Sequence, residues 1–363
     1  MTTKTQTAQR VSEAPMDNLT LARKEGWQRF VDTPARLQPG HMTRRELEAL
    51  TEDAFDDYNR KRREWHANLG PIRTPQLANL HEDLWDIVDS NAQDGDRAKG
   101  AVAIDAFPGL GKTTAVLDFA RKYHQREAKE HGAATNQGHE RWPVCRVGLT
   151  GNTGMVEFNR AMLGFFAHPG VSRGNAAHFA HRALDCELAC ETKPLIVDDL
   201  HFLRWRNTVG VEISNHFKYI ANEFPVTLIF VGVGLAARGL FSEGHSYEDA
   251  VIAQTGRRTT KLDLHPFVIN TDDGRRAWRQ LLLALEQRIV LADKRPGMLA
   301  DDLSDYLFAR STGHIGSLMT LINRGCQRAV RTGFENLNRE LLDLVKNDAA
   351  SEKGRQELQS AFE

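Results

Sequence analysis

With 363 residues, 41% of them hydrophobic and 26% charged, the chain is long enough for two domains and apolar enough to bury a core, which excludes a wholly disordered protein. Lysine plus arginine number 47 against 48 aspartates plus glutamates, a formal net charge of −1. Binding of nucleic acid by gross charge alone is therefore excluded, and would need a local patch or an assembly.

The polar start, MTTKTQTAQRVSEAPMDNLT, lacks the apolar stretch of a secretory leader. The most apolar run, PVTLIFVGVGLAA (225–237), is too short to span a bilayer and reads as a buried strand with its turn. Four cysteines give no disulfide framework. The expectation is a cytoplasmic protein with no membrane partner.

In chain order, residues 1 to about 40 show weak periodicity and are expected to be mobile or loosely docked. TRRELEALTEDAFDDYNRKRREWHANLG (43–70) reads as one helix, with Leu47, Leu50, Phe55, Tyr58 and Trp65 as its apolar stripe and Thr43 with Glu46 as a capping box. GPIRTPQL breaks the pattern, and a second helix runs from Gln76 to about Ser90. The polar NAQDGDRAKG follows as a surface loop.

Short apolar runs then alternate with helical stretches. The runs AVAID (101–105), VCRVGL (144–149), LIVDD (195–199), VTLIFVGV (226–233) and KLDLHPF (261–267) predict strands. Helices are predicted near 112–130, 154–167, 175–191, 208–223 and 247–256. This alternation predicts an α/β layer with a mostly parallel sheet, buried on both faces. Past Phe267 only helices are predicted, near 272–292, 299–310, 314–331 and 335–347, and residues 351–363 read as a polar tail. Cys186 and Cys190 share a helical face, at about 100° per residue, but His178 and His181 point away from it. Helix packing, not a zinc site, is the expectation there.

Within AFPGLGKTT (106–114) the chain comes one residue short of the phosphate-binding pattern G-x-x-x-x-G-K-[ST], with Ala106 in place of the first glycine. A strand precedes the loop and a helix follows it, so its N–H groups can cradle phosphate oxygens. Pro108, Gly109, Leu110, Gly111, Lys112, Thr113 and Thr114 are the candidate nucleotide-binding residues. Lys112 is expected to reach the β- and γ-phosphates, and the Thr113 hydroxyl to hold Mg²⁺. Gly109 and Gly111 tolerate positive φ, and Ala is the smallest replacement at 106, so ATP binding should survive. PLIVDDLHFL (194–203) supplies the second element, an apolar strand ending in two acids. Asp198 fits the magnesium role, and Asp199 fits the residue that orients or deprotonates the attacking water.

The order of phosphate loop, acidic strand end, TLIFVGVG strand, paired arginines and helical lid resembles the AAA+ ATPases, a three-layer P-loop NTPase fold. Within these the chain looks most like the TniB/TnsC/MuB group, the ATP-dependent transposition helpers. DYNRKRREWHANLGPIRTPQL (57–77), VDDLHFL and STGHIGSLMTLINRGCQRAV (311–330) carry the resemblance, which covers roughly residues 55–335. It divides the chain into an N-terminal extension (1–70), an ATPase core (71–267), a helical lid (268–350) and the tail.

The resemblance implies an ATP- and Mg²⁺-dependent protein that forms a homo-oligomeric ring or helical filament on double-stranded DNA and presents the target to a transposase. It also implies an arginine reaching a neighbour's γ-phosphate, for which Arg257 and Arg258 are the candidates. Three departures point to slow turnover and a switch rather than a motor. Asp199 stands where most of these ATPases have Glu, Val233 where a polar sensor often sits, and Ser317 near a usual sensor arginine, with Arg324 as a substitute. Candidate DNA contacts are Arg204 and Arg206, then Arg173, His178, His181 and Arg182, and the Arg60-Lys61-Arg62-Arg63 cluster, all giving non-specific, salt-dependent binding. Two other readings share the ATPase. A replication initiator or helicase loader usually adds a winged-helix domain, and a STAND-type signalling switch usually adds a repeat-built sensor.

Overall fold

Five short runs pair into a single parallel sheet in the computed structural model, which describes residues 20–93, 99–150, 153–200, 208–235 and 258–360. The strands are β1 Ala101–Asp105, β2 Cys145–Gly148, β3 Pro194–Asp198, β4 Thr227–Gly232 and β5 Thr259–Asp263, in the spatial order β2-β3-β4-β1-β5. Every pairing is parallel, with Ile104 opposite Val231 and Gly148 opposite Asp198. All residues of β3 and β4 are buried, as expected of central strands covered by helices on both faces. Crossover helices Lys112–His131, Met155–Phe165, Ala176–Ala189 and Thr208–Glu223 match the predicted stretches. The helix expected near 247–256 lies outside the described residues.

Four sequence expectations change. The strand expected over 261–267 is Thr259–Asp263, an edge strand in which only Leu262 is buried, and the chain leaves the sheet before His265. The run 43–70 is two helices, Arg44–Glu48 and Glu52–Ala67. Thr43 forms the expected capping box with Glu46, but Thr51 is a second N-cap whose hydroxyl accepts from the Ala54 N–H, so the chain restarts there. Residues 24–32 are docked: in the helix Lys24–Asp32, Trp27 is fully buried in the sheet's core and its indole N–H donates to His124 Nδ1 at 3.1 Å. Val31 is buried in the same core and Phe30 packs against it, so Trp27, Phe30 and Val31 form one short apolar face at helical spacing. The stretch read as a polar tail is helical over Ala349–Ser360, held by Glu352 rather than by an apolar stripe. Glu352 accepts from Arg310 at 2.9 Å and from the Asn347 N–H at 2.8 Å.

Beyond β5 the helices Asp272–Arg288, Ser304–Ser311, Ile315–Thr332 and Arg339–Asp343 enclose a second apolar core, to which Leu69 and Ile72 also belong. The helix Glu52–Ala67 is fastened to it by a buried ion pair. Arg62 donates through both terminal nitrogens to Glu335, at 2.6 and 2.8 Å, and a third bond comes to Glu335 from the Ala292 N–H at 3.0 Å. The IRTP stretch joins the two cores. Ile72 packs in the second core, the Thr74 hydroxyl accepts from the Leu77 N–H, and Pro75 opens the helix Pro75–Gln93.

On the helix Ala176–Ala189, Glu187 is fully buried, and burial pushes its carboxyl up to about 8. Between its ordinary value and about 8, the unfolded chain has lost this proton while the folded chain keeps it, so stability falls as pH rises across that window. Urea denaturation at about pH 5 and about pH 8 should show a smaller loss for Glu187→Gln than for the wild-type chain. Equal losses would assign the slope elsewhere.

Candidate nucleotide site

At the C-terminal end of β1 the chain turns through residues 106–111 into the helix Lys112–His131. Gly109 and Gly111 have φ of 78° and 80°, in the left-handed region that favours glycine. Ala106 has no positive φ and is buried, so the missing glycine costs the backbone nothing here. Lys112 donates to the carbonyls of Ala106 and Phe107, both at 2.8 Å. Burial lowers its ammonium from the ordinary range, while Asp105, Asp198 and Asp199 act in the opposite direction.

Asp198 closes β3 and is 3% exposed. One carboxylate oxygen accepts from the Thr113 hydroxyl at 3.3 Å and from the Asp199 N–H at 3.0 Å. The other accepts from Arg146 on β2 at 2.7 Å. Asp199 has φ of 61°, unusual for a residue with a side chain and found where the fold over-determines the backbone. The Thr113 hydroxyl and the Asp198 carboxylate therefore meet beside Lys112, and these oxygen donors fit a hard divalent cation such as Mg²⁺. Such an ion would supply charge neutralisation on the nucleotide's phosphates.

A lid helix lies on the loop. The Gly316 N–H, in the first turn of Ile315–Thr332, donates to the Gly109 carbonyl at 2.8 Å. A Cβ at Gly316 would lie 2.8 Å from that oxygen, closer than real Cβ atoms come, so only glycine permits the approach. His314 and the Ser317 hydroxyl border Gly109 as well.

The remaining sequence candidates separate clearly. Val233 follows β4, whose Gly232 carbonyl accepts from Ala106, so an apolar side chain occupies that position beside the loop. Arg324 lies eight residues beyond Gly316, about 12 Å along the helix, and donates to the Lys346 carbonyl, so it does not serve the loop. Arg258 stands at the start of β5, where its carbonyl accepts from the Ala101 N–H. It is separated from its own phosphate loop by the length of β1, on the order of 15 Å. Arg257, Arg204 and Arg206 lie outside the described residues.

Three of the four residues in the basic cluster 60–63 are paired, while Arg63 is exposed without an ion pair among the described residues. Arg60 pairs with Asp57 and Glu64, Lys61 with Asp57, and Arg62 is the buried partner of Glu335. Arg182 donates to the Gly170 carbonyl, and His181 pairs with Asp185, which leaves Arg173 and His178 exposed without ion pairs among the described residues. Cys186 and Cys190 pack against the sheet's core. Sequence reasoning missed Arg146 and Gly316. A charge inside the apolar run VCRVGL was the available signal for the first, since it requires a partner on the next strand.

The family model described as an AAA domain matches residues 95–241. No curated protein sequence matches. Among solved structures, the Aeropyrum pernix ORC2 protein in its ADP form superposes with a TM-score of 0.55 at 15% identity, covering 77% of this chain and 70% of that one. The ORC1 protein of Aeropyrum pernix in complex with DNA gives 0.53 at 16% identity, covering 81% and 69%. Sheet order, loop and acidic strand end define a three-layer P-loop NTPase fold of the AAA+ type, as anticipated.

Replacing Gly316 by Val forces the lid off the loop and loses a backbone hydrogen bond, at about 1–2 kcal/mol. Titration with a fluorescent ATP analogue is expected to show affinity reduced about tenfold. Unchanged affinity would mean that the lid contact does not support the nucleotide site.

Proposed function

We propose that the protein is a slow ATPase that uses ATP binding to assemble as a homo-oligomer on double-stranded DNA, marking the target and recruiting a transposase. The observation that carries the switch reading is the lid helix bonded to the phosphate loop through Gly316 and Gly109. Nucleotide at the loop is then felt by the second core and by every helix fastened to it, so occupancy is coupled to the arrangement of the whole chain.

In this reading Lys112 and the loop N–H groups hold the phosphates, and Thr113 with Asp198 holds the ion. Asp199 orients the attacking water, its short side chain limiting the rate. Arg258 is too far from its own loop to act within one copy, which favours action on a neighbour's γ-phosphate and links hydrolysis to assembly. DNA contact is non-specific, with Arg173 and His178 as exposed candidates. The four cysteines are unpaired, in keeping with work in a reducing cytoplasm. No helix among the described residues is long and apolar enough to cross a membrane.

The choice of a transposase as partner rests on the IRTP and TGHIGSL stretches. They are structurally active here, the first capping the Pro75–Gln93 helix and the second contacting the loop. A second reading, a replication initiator, is favoured by the fold likeness to the ORC proteins. The two differ in partner: a transposase retained by the ATP-loaded, DNA-bound protein supports the first, and a replicative helicase the second.

Sedimentation with a non-hydrolysable ATP analogue and duplex DNA should show oligomers that require both ligands and dissolve as salt is raised. Lys112→Ala should remain monomeric under the same conditions. A wild-type chain that stays monomeric from low to moderate salt would overturn the assembly reading.

A further inference from the structure

At the end of the sheet opposite the phosphate loop, three cations converge on a cavity of about 90 Å³. Lys99 lies two residues before β1, Lys218 lies near the end of the helix Thr208–Glu223, and Arg258 lies one residue before β5. The backbone fixes their relative positions. The Lys99 N–H donates to the Ala221 carbonyl at 3.1 Å, and the Ala101 N–H to the Arg258 carbonyl at 2.8 Å. Arg258 is aimed by Asn222, whose side-chain oxygen accepts from it at 2.9 Å.

Among the described residues no carboxylate lines this cavity, and none of the three cations forms an ion pair. Lys99 is 9% exposed as a residue and lines the cavity, with no anion beside it among the described residues. Burial, with the positive charge of Arg258 second, lowers the Lys218 ammonium from its ordinary range. The carbonyl end of a helix favours a nearby cation, but three cations at one cavity repel each other and exceed that need. A bound anion removes the conflict.

We propose that Lys99, Lys218 and Arg258 form a second phosphoryl-binding site, separate from the phosphate loop. The cavity is well below the roughly 300–1,000 Å³ of sites for drug-sized ligands, so it suits one tetrahedral oxyanion rather than a nucleoside. Two ammonium groups and a guanidinium match the three oxygens of a terminal phosphoryl group. The group comes either from free phosphate in solution or from the nucleotide of a second copy, and only the latter source rests on the assembly reading above.

The test uses the full chain carrying Lys112→Ala, so that the loop contributes nothing. Calorimetric titration with inorganic pyrophosphate is expected to show one salt-sensitive site, weakened at least ~tenfold by adding Lys99→Met or Lys218→Met, which keep the aliphatic stem. No binding, or binding unaffected by either change with the fold intact by circular dichroism, overturns the site. A second arm identifies the source. Lys112→Ala protein is mixed with protein carrying Lys99→Met and Lys218→Met, and ATP hydrolysis is followed. Hydrolysis that appears only on mixing supports a phosphoryl group presented by a second copy. No gain on mixing, with pyrophosphate binding still lost in the Met variants, supports the site with free phosphate as its ligand and counts against the assembly reading alone.

Discussion

The carboxylate of Asp198 is the constraint from which the candidate nucleotide site is built. An ionised carboxyl at 3% exposure survives only if its oxygens are paired, and three elements supply the partners. Arg146 comes from β2, the Thr113 hydroxyl from the first turn after the loop, and the Asp199 N–H from the chain's own continuation. The last bond goes with a left-handed Asp199 backbone, which turns the chain sharply away from the strand. One buried charge thus sets the loop's helix against β3, although β4 separates β3 from β1 in the sheet. Arg146 engages one oxygen, and the other faces Thr113.

A second dependency runs through the lid. Its contact with the loop is backbone to backbone, so it tolerates no side chain at Gly316. The lid is in turn fixed by the helix Glu52–Ala67, through the buried Arg62–Glu335 pair and through Trp65, whose indole donates to the Arg288 carbonyl at 2.7 Å. Breaking such a pair by removing one partner typically costs about 3–5 kcal/mol, because the other charge is left buried and unpaired. The residues preceding the phosphate loop by forty positions or more therefore take part in holding the lid that covers it.

Much of this was legible in the sequence because the period of the apolar residues reports burial directly. The central strands and the acidic strand end come from short apolar runs between turn signals, as in AVAID and PLIVD. The edge strand Thr259–Asp263, by contrast, has one buried residue, Leu262, and begins two residues before its expected start. Features without an apolar period stayed hidden. Ala349–Ser360 is held through Glu352, a single side chain that no window detects, whereas Lys24–Asp32 carries a stripe, Trp27, Phe30 and Val31, too short to stand out within the polar N-terminal residues. The basic run 60–63 looked like a surface patch, yet Asp57 and Glu64 at helical spacing neutralise part of it, and Arg62 turns inward. Arg146, Gly316 and the three-cation cavity depend on which strand ends and helix termini meet, and that is decided by the crossover order rather than by local pattern.

The account stands on Asp198 and Thr113 holding an ion for a nucleotide seated on the loop. The most direct measurement is the affinity for ATP with and without Mg²⁺, for the wild-type chain and for the near-isosteric Asp198→Asn. The account predicts that Mg²⁺ strengthens ATP binding in the wild type and that this gain disappears in Asp198→Asn, while metal-free binding changes little. A full Mg²⁺ gain retained by Asp198→Asn would contradict it.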